Sequence, residues 1–326
     1  MNKNTILLTQ NEVESLINMD EAISVVEEAF RLYALGKAQM PPKVYLTFKS
    51  GDLRAMPAYL MNYAALKWVN SHPGNPERGL PTVMAILILN DPDTGFPLAV
   101  MDATYLTSIR TGAASGVASK YLARKDSKVF GFVGCGRQSY FQFDALRNIF
   151  EIELVKAYDI NKSAMKRFSE HCEKLGFECK SCEIKEVCDC DVLTTTTPSN
   201  KPIVKLSWLN EGLHINAIGA DGPGKQELEI DILKNAKIVV DDIEQSIHGG
   251  EINVAISTGM LDRESIFATL GEVVAQLKPG RESYEEITIF DSTGLAIQDL
   301  AVAKVVFENA VKRKVGREIA FFDLNL

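Results

Sequence analysis

The feature that most constrains this chain is Gly134-Cys-Gly136-Arg-Gln-Ser139, which follows the apolar run KVFGFV and precedes a helix-forming stretch. Glycine at 134 permits a tight turn out of a buried strand, and glycine at 136 lets the backbone approach a pyrophosphate. The helix that follows offers unpaired N–H groups and the positive end of its dipole. Ser139 stands where such patterns often carry a third glycine. Alone, the run is a weak sign, and its plain alternative is a Gly-rich turn that holds no ligand. Here the next strand-like run ends in Tyr158-Asp159, about 20 residues on, where a carboxylate can accept hydrogen bonds from ribose hydroxyls. The combination predicts a dinucleotide site. The acid favours NAD over NADP, because it would repel a 2′-phosphate.

The rest of the chain divides around this motif. From Ser127 the runs KVFGFVG, LVKAYDI, DVLTTTT, HINAIGA, KIVVDD and ITIFDS alternate with helical stretches, one from about Ser139 and one near Ser163 to Leu175. Apolar strands with polar C-terminal ends, joined by helices, predict an α/β fold with a doubly wound parallel Rossmann sheet over 121–297. Ahead of it, Thr9-Gln-Asn-Glu12 reads as a capping box, and Asp20 is expected to cap a helix running to Leu35. In that helix Ala22, Ile23, Val26, Ala29, Phe30 and Tyr33 share one apolar face, and Gly36 suits its C-terminal cap. Short β-favouring runs from Lys43 to Leu89 predict an antiparallel meander, and Asp102 to Leu122 returns to a helical pattern. A last amphipathic helix, about 297–312, is expected to return to the first region. That makes a discontinuous α+β domain of 1–120 and 298–326.

Length and composition fit this division. At 326 residues two domains are expected, and 46% hydrophobic with 24% charged residues suits a folded soluble protein. The net charge of −8 argues against a nucleic-acid partner. No apolar run approaches the ~20 residues that span a bilayer, and the N-terminus lacks a signal-peptide pattern, so a cytosolic protein is expected. Of six cysteines, Cys172, Cys179, Cys182, Cys188 and Cys190 cluster and Cys135 lies in the Gly-rich turn. Their spacing is wrong for a zinc ribbon, so free thiols are expected and no metal.

Strand ends supply further candidates, since loops at the carboxyl ends of parallel strands face the cofactor crevice. These are Thr196 and Thr197, and the segment Gly219-Ala220-Asp221-Gly-Pro-Gly224, which plain turn chemistry would also explain. In the first domain the cations Lys43, Arg54, Lys67 and Arg110 stand in or beside apolar runs, where an unpaired charge is costly to bury. Lys67, within Ala64-Ala-Leu-Lys67-Trp-Val, leaves two readings open. It is either a snorkelling edge residue or a partly desolvated amine suited to proton transfer. His72 and His248 lie in polar loops with no evident metal partners.

With these segments assembled, the chain resembles the ornithine cyclodeaminase/μ-crystallin family, and within it the archaeal-type alanine dehydrogenase branch. The resemblance rests on LKWVNSHPGNPERGLPTVMAILILNDPDTGFPLAVMDATYLTSIRTGAAS at 66–115, VFGFVGCGRQSYFQ at 129–142, HINAIGADGPGKQEL at 214–228 and ITIFDSTGLAIQDLAVAKVV at 287–306. It implies a homodimer that buries a sheet face of the discontinuous domain. It also implies Lys67 as general acid/base, and Arg110 with Lys43 at the substrate carboxylate, with Thr82 and Arg54 among the substrate-binding residues. NAD contacts would fall on Arg110, Gly134, Gly136, Arg137, Gln138, Asp159, Ile160, Asn161, Thr196, Thr197, Gly219, Ala220, Asp221 and Ser292.

Three chemistries occur in that family: oxidative deamination of alanine, cyclising deamination of ornithine, and reduction of cyclic imines. The resemblance places a glutamate before the Met-Pro pair in cyclodeaminases, to hold a second ammonium; here that position is Arg54, whose cation would repel a diamine. Asp221 matches the cyclodeaminase aspartate that orients water, but an amino acid dehydrogenase also needs such a group. The expectation is therefore an NAD-dependent enzyme interconverting L-alanine with pyruvate and ammonia, Lys67 and Asp221 moving protons. The contrasting expectation, a dinucleotide-binding protein without turnover, has no need of Lys67, Arg110 and Asp221 together.

Overall fold

The computed structural model describes residues 4–323; residues 1–3 and 324–326, at the outer ends of the predicted first domain, lie outside the described residues. The chain parts into two compact units, Met1–Arg110 with Leu295–Leu326, and Thr111–Gly294.

The first unit is built on a seven-stranded sheet. Its strands are β1 (Thr5–Leu8), β2 (Val44–Phe48), β3 (Gly51–Leu60), β4 (Tyr63–Ser71), β5 (Ala85–Asn90), β6 (Pro97–Asp102) and the C-terminal strand Arg317–Ile319. The C-terminal strand forms one edge and is followed by β1, β6, β5, β4, β3 and β2. Strands β2 to β5 form the antiparallel meander predicted from Lys43 to Leu89, β6 extends it by one strand, and β1 joins parallel to β6. Helix α1 (Gln10–Ser15) opens on the predicted box, the Thr9 N–H donating to the Glu12 carboxylate at 2.7 Å. Helix α2 (Met19–Ala34) is capped by Asn18 and not by Asp20. Asn18 Oδ1 accepts from the Glu21 N–H at 2.9 Å and Glu21 reaches back to the Asn18 N–H, so Asp20 falls in the first turn, where its charge meets the helix dipole. The last long helix, Ala296–Arg313, packs on α2, β3 and β4 and buries Ile297, Leu300 and Val302.

Along β4 the small residues and the one charge face inward and the large apolar residues outward. Ala65, Lys67 and Val69 point inward, while Leu66 and Trp68 point outward. Trp68 stands in a cross-strand row with Val44, Ala55 and Ile86, and Leu66 pairs with Pro57 and Ile88. With Leu46 and Phe48 these residues give the sheet an exposed apolar outer face.

The second unit is the Rossmann sheet. Its parallel strands are β7 (Val129–Val133), β8 (Leu154–Tyr158), β9 (Glu178–Ser181), β10 (Val192–Thr195), β12 (His214–Ala217), β14 (Ala236–Val240), β15 (Ile266–Thr269) and β16 (Ile287–Asp291). They stand in the order 15-14-16-12-10-7-8-9. A separate parallel pair, β11 (Asn200–Val204) and β13 (Gln226–Leu228), lies outside that sheet. The direction of winding reverses between β7 and β10, where open α/β sheets bind ligands. Register levels the strand ends there: Val133 pairs with Tyr158 and with Thr195, Thr195 with Ala217, and Ala217 with Asp291. Beneath, Phe130, Phe132, Phe143 and Phe168 pack in edge and tilted contacts, with Phe132 and Phe168 ring centres 5.1 Å apart. Cys172 and Cys179 belong to this core, and Cys188 and Cys190 to the one across the sheet. All six cysteines are free thiols, and among the described residues no His/Cys/Asp/Glu group is arranged to hold a metal.

The boundary between units falls within helix α3 (Thr104–Leu122) and not after it. The small residues beyond Arg110 let it approach the helix Arg137–Arg147 and the Rossmann strand β12 closely. A Cβ on Gly112 would lie 2.3 Å from the Phe141 carbonyl, and Ser119 Oγ accepts from the Asn216 amide at 2.9 Å. Among the described residues no helix is long and apolar enough to cross a membrane.

His214 begins a buried polar chain in this unit. Its ring nitrogens meet Thr288 Oγ1 at 2.9 Å and Asn216 Oδ1 at 3.2 Å. Burial, then the nearby Arg281 charge, pushes its pKa down to about 3. Between that value and its ordinary 6.5 the unfolded chain takes up a proton that the folded chain refuses, so the ring subtracts stability as pH falls. The stability advantage of wild type over His214→Gln should therefore shrink below pH ~6.5, by at most about 1.4 kcal/mol per pH unit. Urea melts of both proteins at a series of pH values test this; a pH-independent difference would count against it.

Candidate active site

The dinucleotide crevice forms at the levelled strand ends. The turn after β7 carries Gly134 at φ +95°, a conformation that favours glycine, and an added Cβ there would meet Thr196 Oγ1 at 2.8 Å. Helix α4 (Arg137–Arg147) starts two residues before its predicted start at Ser139, because Gly136 is itself the N-cap residue. Ser139 is buried and donates its hydroxyl to the Gly136 carbonyl at 2.6 Å. Gly136 is exposed, and a Cβ on it would meet nothing within 4 Å. The strand β8 delivers Asp159, whose carboxylate accepts from the Cys135 N–H and the Asn161 N–H, both at 2.7 Å. It therefore braces the turn and keeps lone pairs for ribose hydroxyls. Asn161 in turn caps helix α5 (Lys162–Lys174), which accordingly starts one residue before its predicted Ser163.

A cavity of about 530 Å³ opens beside this turn. Gly134, Gly136, Asp159, Ile160, Thr196 and Thr197 line it, together with Ile184, Pro198, Ser199 and Ile203. Ile160 is 90% exposed, an apolar side chain held at the lip with Ile184 and Ile203 opposite polar Asp159. An aromatic base beside a ribose fits that division. Further along the strand ends, Ser292 is buried and its Oγ has no hydrogen-bond partner. These features fit a bound dinucleotide. Arg137 lies over the Phe141 ring in the first turn of α4, next to Gln138. Asp221 pairs with Lys225 within its own loop.

A set of buried carboxylates holds this edge together, and the sequence reading missed it. Glu227 accepts from Thr195 Oγ1, the Thr197 N–H and hydroxyl, and the Gly219 N–H, tying the ends of β10 and β12 to each other. Its own N–H donates to Glu251, and the Glu251 N–H donates to Asp291. Gly219 and Ala220 are thereby fixed: a Cβ on Gly219 would lie 2.1 Å from the Thr197 carbonyl. Burial pushes all three acids upward, Asp291 to about 8.

The first unit holds a second centre. Lys67 Nζ lies 2.7 Å from Asp299 Oδ2 and 3.3 Å from Thr107 Oγ1, and both charged side chains are 1% exposed. The other oxygen of Asp299 receives Arg110 Nε at 2.9 Å, and Arg110 Nη1 donates to Gln298 Oε1 at 3.0 Å. Burial lowers the Lys67 pKa to about 7; Arg110 and Lys43 add to the depression, while Asp299 opposes it. Of the two readings left open for Lys67, the buried amine holds and the snorkelling edge residue does not. Neither Asp299 nor Gln298 was expected. The visible signal was an acid in the largely apolar helix LAIQDLAVAKVV.

Arg54 lies on the same sheet face as Lys67, one row along, since Arg54 pairs with Val69 and Met56 with Lys67. Its fork holds Asp52 at 2.6 and 3.0 Å and lies over the Tyr45 ring. The cation expected to repel a diamine is thus compensated by Asp52, which weakens that argument. Thr82 is half-buried, and its carbonyl accepts from the His72 N–H at 2.9 Å.

A nucleotide-binding α/β unit and a unit carrying a buried, near-neutral lysine beside two cations define a nicotinamide-dependent oxidoreductase acting on a carboxylate. The chain belongs to the ornithine cyclodeaminase/mu-crystallin family, whose pattern matches residues 3–314. It is 70% identical over 318 residues to an alanine dehydrogenase of Archaeoglobus fulgidus, covering 98% of this chain and 99% of that one. Its fold matches an archaeal alanine dehydrogenase dimer with bound NAD at a TM-score of 0.97 and 69% identity, over 98% of this chain and 100% of that one. It also matches the Thermococcus litoralis Delta(1)-pyrroline-2-carboxylate reductase in complex with NADH and L-proline, at 0.94 and 41%, over 97% and 100%.

The two glycines of the turn separate stability from affinity. Gly136→Ala should cost less than about 1 kcal/mol of stability yet weaken NADH binding tenfold or more, since the new methyl would stand where the pyrophosphate approaches. Gly134→Ala should cost roughly 1–3 kcal/mol outright. Thermal melts and NADH fluorescence titration of both variants check the contrast.

Proposed function

We propose that this chain is an NAD-dependent alanine dehydrogenase, converting L-alanine, water and NAD to pyruvate, ammonia and NADH, and the reverse. The observation that carries the reading is the buried Lys67 amine, held near neutral pKa between Asp299 and neighbouring cations. A group poised there can give and take protons at working pH. The near-full-length likeness to an alanine dehydrogenase supports the choice of substrate.

Residues of the chain divide the work as follows. Arg110, with Lys43, binds the pyruvate carboxylate and turns its carbonyl carbon toward the attacking ammonia. Lys67 donates the proton that helps water leave the carbinolamine, and removes one from water in the reverse direction. Asp221 orients that water. The Gly-rich turn and the α4 N-terminus hold the pyrophosphate, Asp159 the ribose, and Ser292 a polar atom of the nicotinamide half. When bound, the cofactor supplies or accepts the hydride at the carbon bearing nitrogen and carboxylate.

A second reading, cyclic imine reduction, draws support from the Arg54–Asp52 pair, which leaves no uncompensated charge against a cyclic or diamine-derived substrate. Assays of NADH consumption with ammonia and pyruvate, against pyrroline-2-carboxylate, and of NAD reduction with L-alanine against L-ornithine, separate the two. Fast turnover of pyruvate and alanine alone is expected; faster turnover of the cyclic imine overturns the alanine assignment. Lys67→Ala should keep NADH affinity and lose ~10² to 10⁴ in turnover. Undiminished turnover in that variant would remove Lys67 from its role.

We assign the apolar outer face of β2, β4 and β5 as the surface on which two copies pair; the archaeal alanine dehydrogenase of like fold is a dimer. Trp68→Glu should give a folded monomer by sedimentation, and a dimer that persists would place the interface elsewhere. Free thiols throughout fit a reducing compartment, and we assign the protein to the cytosol.

A further inference from the structure

We propose that Asp299 is a positioning residue for this reaction: its two carboxylate oxygens separately fix the Lys67 amine and the Arg110 guanidinium, and so set the spacing between proton donor and carboxylate anchor. The inference rests on the reading of Lys67 as the proton-transferring group.

Three elements meet at this carboxylate. Strand β4 supplies Lys67 at 2.7 Å, α3 supplies Arg110 at 2.9 Å, and the last long helix supplies Asp299 from its first turns, where the helix dipole favours an anion. That helix start is itself tied down. Gln298 Oε1 accepts both from Arg110 Nη1 at 3.0 Å and from the Leu295 N–H at 3.2 Å. Lys67 is faced by Lys43 from the segment before β2, by Arg110 and Thr107 from α3, and by Asp299 from the last helix; the Asp52–Arg54 pair lies one row away on β3. Asp299 is the charge in that set that favours the protonated amine, against burial and the two cations. A purely structural ion pair would need only one of these contacts. One carboxylate shared between an acid/base group and a guanidinium couples where they stand to how readily the amine keeps its proton.

Asp299→Ala would strand two buried cations, so Asp299→Asn and Asp299→Glu are the informative variants. Ratios to wild type at each pH cancel the titration of ammonia and substrate. In Asp299→Asn, the alkaline limb of the pyruvate amination profile should move to lower pH by about one unit or more, because the protonated amine loses its anionic neighbour. Turnover should fall about 10²-fold with misplacement, KM for pyruvate should rise, and NADH affinity should stay within about twofold. Asp299→Glu keeps the charge and should return the limb toward wild type while turnover stays low. A wild-type limb and turnover in Asp299→Asn, with only a lower melting temperature, overturns the inference. If that variant does not fold, wild-type kcat and KM in Asp299→Glu overturn it instead. Lys67→Ala assayed alongside distinguishes the two failures: if it keeps turnover the reading of Lys67 is wrong, and if it is inactive while Asp299→Asn behaves as wild type, only the role of Asp299 is.

Discussion

A lysine ammonium removed from water and held by one carboxylate is the interaction around which the first unit is organised. Burying an isolated charge is so costly that Lys67 requires Asp299, and Asp299 lies at the far end of the chain. The return of the last long helix to the N-terminal sheet, which makes the unit discontinuous, is what supplies the partner. Arg110 then completes an arrangement in which the burial that lowers the amine's affinity for a proton is partly offset by the anion beside it.

The Rossmann unit solves a different problem with a similar device. Its strand ends must stay level while the loops above them leave N–H groups and hydroxyls pointing at a ligand. Glu227, Glu251 and Asp291 do this, each accepting from the backbone of a segment earlier in the chain. Burial favours the protonated form of each acid, and the backbone N–H groups that each accepts oppose that shift.

What the sequence showed was local. The turn at Gly134 and Gly136, Asp159 after β8, and the alternation of strands and helices are all written within a few tens of residues, and the parallel sheet followed from them. Lys67 was conspicuous as a charge in an apolar run, but its direction was not readable, because a strand flanked by apolar residues on both sides offers no polar face to compare. Asp299 stood out only as an acid in a largely apolar helix, with nothing local to name its partner, and Glu227 and Glu251 gave no local sign, since each acts on groups distant in the chain. Asn18 in place of Asp20 as the α2 cap is a smaller case: both are good cap residues, and the reciprocal bond to Glu21 decides between them. The charge of Arg54 is offset by Asp52, two residues earlier on the same strand face, a pairing that the strand's alternation makes local.

The inward placement of Lys67 on β4 bears on folding fidelity. Successive side chains of a strand point to opposite faces, so a slip of one residue against β3 or β5 would carry Lys67 onto the apolar outer surface and Trp68 against Asp299. Neither placement is tolerable, and a slip of two would set Ala65 or Val69 beside the orphaned acid. The residue proposed to move protons thus acts as a proofreader for the alignment of its own sheet. A chain whose strands are misaligned lacks catalytic power and also lacks the energy to remain folded.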